Sequence, residues 1–217
     1  MSKSLRYLTI YKFLCEFIAT VLIVNCKLDI DNSILLWING HYAGWLDEVM
    51  WTASAAKTWV WLYVVLIILL YRKYRSWKLV LLMLVGFGIA VGLSDFLCSG
   101  ILKPWVCRLR PTHEPALDPL HLVRGYTGGR YGFCSSHAAN TMAVALLFSL
   151  LFRNKYATVS LMAWVALNCY SRMYLGVHYP SDIIAGLLIG SLWALLVWLA
   201  LSHWLPVDDE AARPGDS

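Results

Sequence analysis

The run WVWLYVVLIILLY constrains this chain more than any other feature; it lies in a stretch from 50 to 71 whose only charge is Lys57. A bilayer core takes about 20 mostly apolar residues per helix, with a range of about 17–25. Comparable stretches recur at 8–26, 77–102, 137–152, 156–170 and 182–204, which gives six expected spans. Lys12 and Glu16 interrupt the first, and the fourth and fifth are short enough that they should extend into their flanks. Of 217 residues, 59% are hydrophobic and 14% charged, whereas a soluble domain is about 25% charged. The chain therefore lacks the polar surface of a water-soluble globule, and disorder, a collagen and a small disulfide scaffold are excluded by the same numbers. The 11 Trp and 12 Tyr fit a bilayer, where such rings collect at the interfaces. The expected fold is all-α: a six-span transmembrane helical bundle forming one domain over 1–217, with a polar acidic tail at 205–217. Between spans one and two, ILLWINGHYAGWLDEVMW suits a short amphipathic helix lying in the interface. Lys3 and Arg6 precede the first apolar run as in a signal peptide, but no small-residue cleavage site follows, so an uncleaved anchor is expected.

Orientation follows from short-loop charge. Lys3 and Arg6, then Arg72, Lys73, Arg75 and Lys78, then Arg153 and Lys155 fall on one side of a six-span layout. The positive-inside rule makes that side cytoplasmic, together with the tail. The segment 103–130 then lies on the opposite side and still carries Lys103, Arg108, Arg110, Arg124 and Arg130. Cations placed against the topological bias read either as contacts with anionic headgroups or as a site for a highly anionic group.

Three motifs fall on that non-cytoplasmic side. The first is KPWVCRLRP, from Lys103 to Pro111; the second is CSSH, from Cys134 to His137; the third runs from Ser171-Arg172 through His178 to Asp182. The set resembles the type 2 phosphatidic acid phosphatase (PAP2) family, membrane relatives of the vanadium haloperoxidases, with the pattern K-x6-R-P, P-S-G-H and S-R-x5-H-x3-D. The first and third motifs match in full; in the second, Cys134 and Ser136 stand where the family has Pro and Gly. The resemblance implies a PAP2/haloperoxidase-like core, His178 as a nucleophile forming a phosphohistidine, and His137 as general acid and then base.

The residue chemistry agrees with these roles. Arg110 and Arg172 offer paired N–H donors to phosphate oxygens, and Lys103 adds a point charge. Ser135 and Ser136 open the fourth span, where free backbone N–H groups favour an anion and a serine hydroxyl can cap. Asp182, four residues after His178, can fix the imidazole tautomer and stabilise the imidazolium. Pro180 and Ser181 suit the start of that last helix. Ser136 carries a Cβ where the family has none, so its turn must avoid positive φ or take up strain. Asp95 reads either as support for Lys103 behind the site or as a buried polar contact between helices. Arg124 and Arg130 are candidates for a second phosphate or a sugar. Cys107 and Cys134, both non-cytoplasmic, are candidates for a disulfide clamping two arms of the site.

The expected activity is an integral-membrane lipid phosphatase working through phosphohistidine, with no metal and no cofactor. Its partners are the lipid phosphate substrate and membrane lipid, with no nucleic acid. The resemblance to small bacterial members implies an inner-membrane protein with its site facing outward. It also implies a substrate among lipid A, undecaprenyl pyrophosphate, phosphatidylglycerophosphate and phosphatidic acid. The extra basic residues of the loop favour the first two. The rivals are a lipid phosphotransferase on the same fold, in which another hydroxyl replaces water, and a catalytically silent membrane scaffold.

Overall fold

The computed structural model describes residues 29–117 and 119–205 and is nearly all helical. The expected first span and the acidic tail lie outside the described residues. Two short helices come first, α1 (Asp29–Gly40) and α2 (Gly44–Ser54). A 3-10 turn, Ala56–Trp59, leads into α3 (Val60–Tyr74). Next, α4 (Trp77–Asp95) passes through a π-helical segment, Phe96–Leu102, into the short α5 (Lys103–Val106). A long connection leads to α6 (Ser136–Phe152), α7 (Lys155–Tyr174) and α8 (Pro180–Leu201).

Local chemistry marks the helix starts. Ser76 accepts from the Leu79 N–H at 3.5 Å, and Asn154 accepts from Tyr156 and Ala157 at 3.0 Å each. Pro180 opens α8, where its missing N–H costs nothing. At the other end of α3, Lys73 donates to the carbonyls of Leu151 and Phe152, and Tyr74 to Leu151, tying that end to the C-terminus of α6. A cation there also complements the helix dipole.

Trp77–Val106 and Pro180–Leu201 are long and apolar enough to cross a bilayer. Gly44–Ser54 and Ala56–Tyr74 pass that test together, but they are bent by 71°. The expected unbroken second span is thus a helix pair with a corner at Ala55. The corner is held by Trp59 Nε1 donating to the Ala53 carbonyl at 2.8 Å and Thr58 Oγ1 to the Thr52 carbonyl at 2.7 Å. Large apolar side chains point outward along α3 and α4, among them Trp61, Val65, Ile68, Leu81, Val85 and Ile89. That outward apolar surface belongs in lipid rather than water.

The core is centred on α6 and α8, which share the most extensive helix–helix interface. Gly186 and Gly190 make it possible: a Cβ at Gly190 would lie 2.1 Å from the Ala139 carbonyl oxygen, and one at Gly186 2.4 Å from that of Ser135. Small residues one turn apart let two backbones touch in this way. Around this seam pack Val80, Met83, Phe148, Leu151, Leu161 and Ile183. The seam fixes the start of α6 against the start of α8, where the second and third motifs lie.

Candidate active site

The pocket is assembled from the ends of four helices and the connection between α5 and α6. An antiparallel bridge pairs Leu109 with Tyr131. Arg110 N–H donates to the Arg130 carbonyl at 3.1 Å, and Gly132 N–H to that of Arg108 at 2.9 Å. The first motif is thereby laid beside the residues that lead into the second.

Arg110 is buried; its Nε donates to the Tyr131 carbonyl at 3.1 Å, while one terminal nitrogen has no partner among the described residues. Gly128 makes room for it: its φ is +67°, and a Cβ there would lie 2.3 Å from Arg110 Nη1. Arg172, buried on the last turn of α7, donates to Ser54 Oγ and leaves Nε unpaired. Lys103 Nζ donates to Ser136 Oγ at 3.0 Å and to Ser99 Oγ at 3.2 Å. Ser99 is one turn away in the π-helical segment and reaches Asp95 at 3.5 Å, so Asp95 stands behind Lys103 through a hydroxyl. Among the described residues, none of Lys103, Arg110 and Arg172 forms an ion pair with a carboxylate. Burial and the neighbouring Arg172 both lower the proton affinity of Arg110. Crowded, unneutralised guanidinium groups are what a multiply charged anion requires.

Ser135 caps α6, accepting from the Ala138 N–H at 3.4 Å, and its own N–H donates to the Asp182 carbonyl at 3.0 Å. Its φ of −76° is ordinary, and Ser136 begins the helix, so the serine in place of glycine causes no left-handed strain. The Ser136 hydroxyl is occupied by Lys103 and Ser99. His137 follows in the first turn of α6, partly exposed to a cavity beneath the site.

His178 precedes α8 and is buried. Its Nδ1 lies 3.5 Å from Asp182 Oδ2, within ion-pair reach but too long for a hydrogen bond. Burial, then the charges of Arg172, Arg110 and Lys103, hold its pKa well below the ordinary histidine value. The imidazole is therefore neutral near pH 7, the form with a free nitrogen lone pair.

Asp182 Oδ2 accepts from the Tyr179 N–H at 3.0 Å, and Oδ1 accepts from Arg108 at 2.9 Å. Arg108 also donates to Ser181 Oγ at 2.7 Å and to Asp31 Oδ2 at 2.8 Å, and it stacks 4.1 Å over the Tyr179 ring. Asp31, from α1, accepts from the Ser181 N–H at 3.0 Å and also bonds the Ser181 hydroxyl. Motif reading gives no role to Arg108, which occupies a variable position between Lys103 and Arg110, nor to Asp31. Tyr126 is a further addition. Burial raises its phenol pKa, but contacts with Arg172 and Arg110 outweigh that and leave it lowered.

Other expectations fall elsewhere. Arg124 pairs with Glu48 at 2.6 Å on the exposed surface and lies over Trp51. Arg130 is exposed and lies over Tyr131. Cys107 and Cys134 are not bonded. Cys107 ends α5 in a left-handed cap, faces outward and donates to the Pro104 carbonyl, whereas Cys134 is buried 2.6 Å from Cys98 Sγ.

The motif residues thus gather in one cluster, with Lys103, Arg110 and Arg172 close enough to act on both His137 and His178. The PAP2 superfamily model matches residues 83–205. A lipid A 4'-phosphatase of Bacteroides thetaiotaomicron is 34% identical, covering 86% of this chain and 83% of the relative. One of Porphyromonas gingivalis is 36% identical over 88% and 84%. The transmembrane PAP2-type phosphatidylglycerolphosphate phosphatase of Bacillus subtilis shares the fold, with a TM-score of 0.65 at 23% identity over 90% of this chain and 96% of that one. The family model and these relatives make this chain a member of the PAP2 superfamily, and a phosphatase.

Proposed function

We propose that this enzyme removes a phosphate from a lipid headgroup at the non-cytoplasmic face of a six-span inner-membrane bundle, and that its substrate is of the lipid A 4'-phosphate class. The face follows from the positive-inside rule. The substrate class is supported by the names of the relatives that match over most of both chains. The observation that carries the reading is a buried His178 beside Asp182, near three cations that have no carboxylate partner among the described residues.

In the first step His178 Nε2 attacks phosphorus, and the P–O bond to the lipid alkoxide breaks as His137 delivers a proton to the leaving oxygen. Asp182 stabilises the imidazolium character that develops on His178. Lys103, Arg110, Arg172 and the N–H groups at the start of α6 bear on the equatorial oxygens, where charge concentrates in the five-coordinate state. In the second step His137, now neutral, takes a proton from water. The hydroxide attacks phosphorus, the P–N bond breaks, and inorganic phosphate leaves with His178 regenerated. General acid–base assistance of this kind is worth about 10²–10⁴-fold.

The test offers purified protein in detergent a panel of lipid A bis-phosphate, undecaprenyl pyrophosphate, phosphatidylglycerophosphate and phosphatidic acid. Inorganic phosphate should appear fastest from lipid A, without loss in chelator and with inhibition by vanadate. His178→Ala should abolish release while the protein still elutes as a folded species. Unchanged release in that variant removes the nucleophile assignment, and phosphate passed only to added alcohols makes the enzyme a transferase.

A further inference from the structure

Two thiols that the reaction does not use lie behind Lys103 and Ser136. Cys98 is in the π-helical segment, Cys134 opens the second motif, and both are fully buried. Their sulfurs face one another 2.6 Å apart. Non-bonded carbons rest about 3.5–4.0 Å apart and sulfur is the larger atom, so two thiols do not sit at rest at this spacing. A sulfur–sulfur bond, ~2.05 Å long, is a small movement away. The side chains packed with the pair, Leu102, Phe133, Ala139, Ala185 and Ile189, are all apolar. Neither of the other two described cysteines competes. Cys107 is exposed and donates to the Pro104 carbonyl, and Cys169 is buried in the separate core around Phe148 and Leu161.

Resting on the outward-facing site proposed above, we infer that Cys98 and Cys134 are joined by a disulfide in the mature enzyme. Disulfides form and persist on the oxidising side of a bacterial inner membrane. The oxidant is a disulfide-bonded thiol carrier, R–S–S–R. One cysteine thiolate attacks a carrier sulfur, the carrier S–S bond breaks, and the first R–S⁻ leaves. The second thiolate attacks the protein sulfur of that mixed disulfide, the protein S–S bond forms, and the second R–S⁻ leaves. The carrier is reduced by two electrons, and the two cysteine protons end on the two released thiols. Exchange precedes packing, since neither sulfur is exposed in the folded protein. Once enclosed among apolar side chains the bond is beyond the reach of free thiols, which makes it a structural link. The two cysteines are 36 residues apart in the chain, and the loop they close carries Lys103 and Arg110. Ser99, next to Cys98, shares a hydrogen bond with Ser136 at 2.8 Å and accepts from Lys103 at 3.2 Å. Ser135, next to Cys134, caps α6. The cross-link pins the backbone on both sides of this hydrogen-bonded group, holding the first motif against the second.

Thiol trapping tests this without reference to turnover. Cells making the full chain are quenched with acid, and the protein is denatured in SDS with N-ethylmaleimide, digested without reductant and examined by mass spectrometry. Cys98 and Cys134 should be found joined and unlabelled, and Cys107 labelled. Label on both Cys98 and Cys134, or a bond from either to a different cysteine, overturns the inference. Melting in detergent gives a second measurement. Wild-type protein heated with a phosphine reductant should melt roughly 5–10 °C lower than without it, because reduction frees the closed loop in the unfolded chain. Cys98→Ala and, as a second variant, Cys134→Ala should each melt alike in both conditions. A wild type indifferent to reductant, or a response that survives in both variants, also overturns the bond. Failure of the orientation reading is told apart by Cys107. A reduced pair in protein whose Cys107 is reached from outside refutes the disulfide alone, whereas Cys107 reached only after lysis refutes the orientation on which it rests.

Discussion

Removing the Arg108 guanidinium leaves two buried carboxylates, Asp31 and Asp182, without the cation they share. Breaking a buried ion pair from one side costs about 3–5 kcal/mol, so Arg108→Ala should lower thermal stability in detergent and cut phosphate release by at least about 100-fold. Arg108→Lys restores charge but not the fork, and should recover part of the stability and less of the rate. Equal activity in all three proteins would show that Asp182 needs no such support. His178 gives a pH dependence of definite sign. Folded, it stays neutral well below the ordinary value; unfolded, it takes up a proton near pH 6.5. The unfolded state therefore binds more protons as pH falls. The stability contribution is complete above about pH 6.5 and declines below it, by at most ~1.4 kcal/mol per pH unit. Melting temperatures measured from pH 7.5 down to about 5 should fall, and His178→Phe should flatten that slope. Motif cations and histidines are legible in the sequence because their spacing matches the PAP2 pattern. Asp31 is not, because it meets Ser181 across 150 residues and nothing local marks the meeting.

The helices themselves are readable because each apolar run is bounded by a capping residue or a charged turn, as Ser76, Asn154 and Pro180 illustrate. The corner at Ala55 escapes such reading: SAAKT holds neither Pro nor Gly, and the bend is secured by side chains that return to the last carbonyls of α2. The π-helical segment escapes it too, although it brings Ser99 to Lys103 and Ser136. The seam between α6 and α8 is the most sensitive element. Gly190→Ala places a methyl against backbone rather than a movable side chain. The helices must part, at a cost of about 1–3 kcal/mol or more. Phosphate release should drop with stability, because Ser135 and His137 ride on the displaced helix. A Gly190→Ala protein with unaltered melting and rate would mean the seam is looser than its contacts require.

At the scale of the whole molecule, orientation is open to a direct chemical test. Among the described residues, Cys107 is exposed within the first motif, whereas Cys98, Cys134 and Cys169 are buried. With the site facing outward, a membrane-impermeant maleimide added to intact spheroplasts should label protein in which Cys15 and Cys26 are replaced by serine, and adding Cys107→Ser should remove that labelling. Labelling that appears only after lysis would turn the bundle over. The link from α1 through Arg108 to the head of α8 has a consequence for synthesis. The ribosome delivers Asp31 early and Ser181 and Asp182 late. A nascent chain that ends after Arg172 carries the three motif cations and His137 but neither His178 nor Asp182. On the reaction proposed above, phosphate release therefore awaits the last helix, and a half-made copy is inactive.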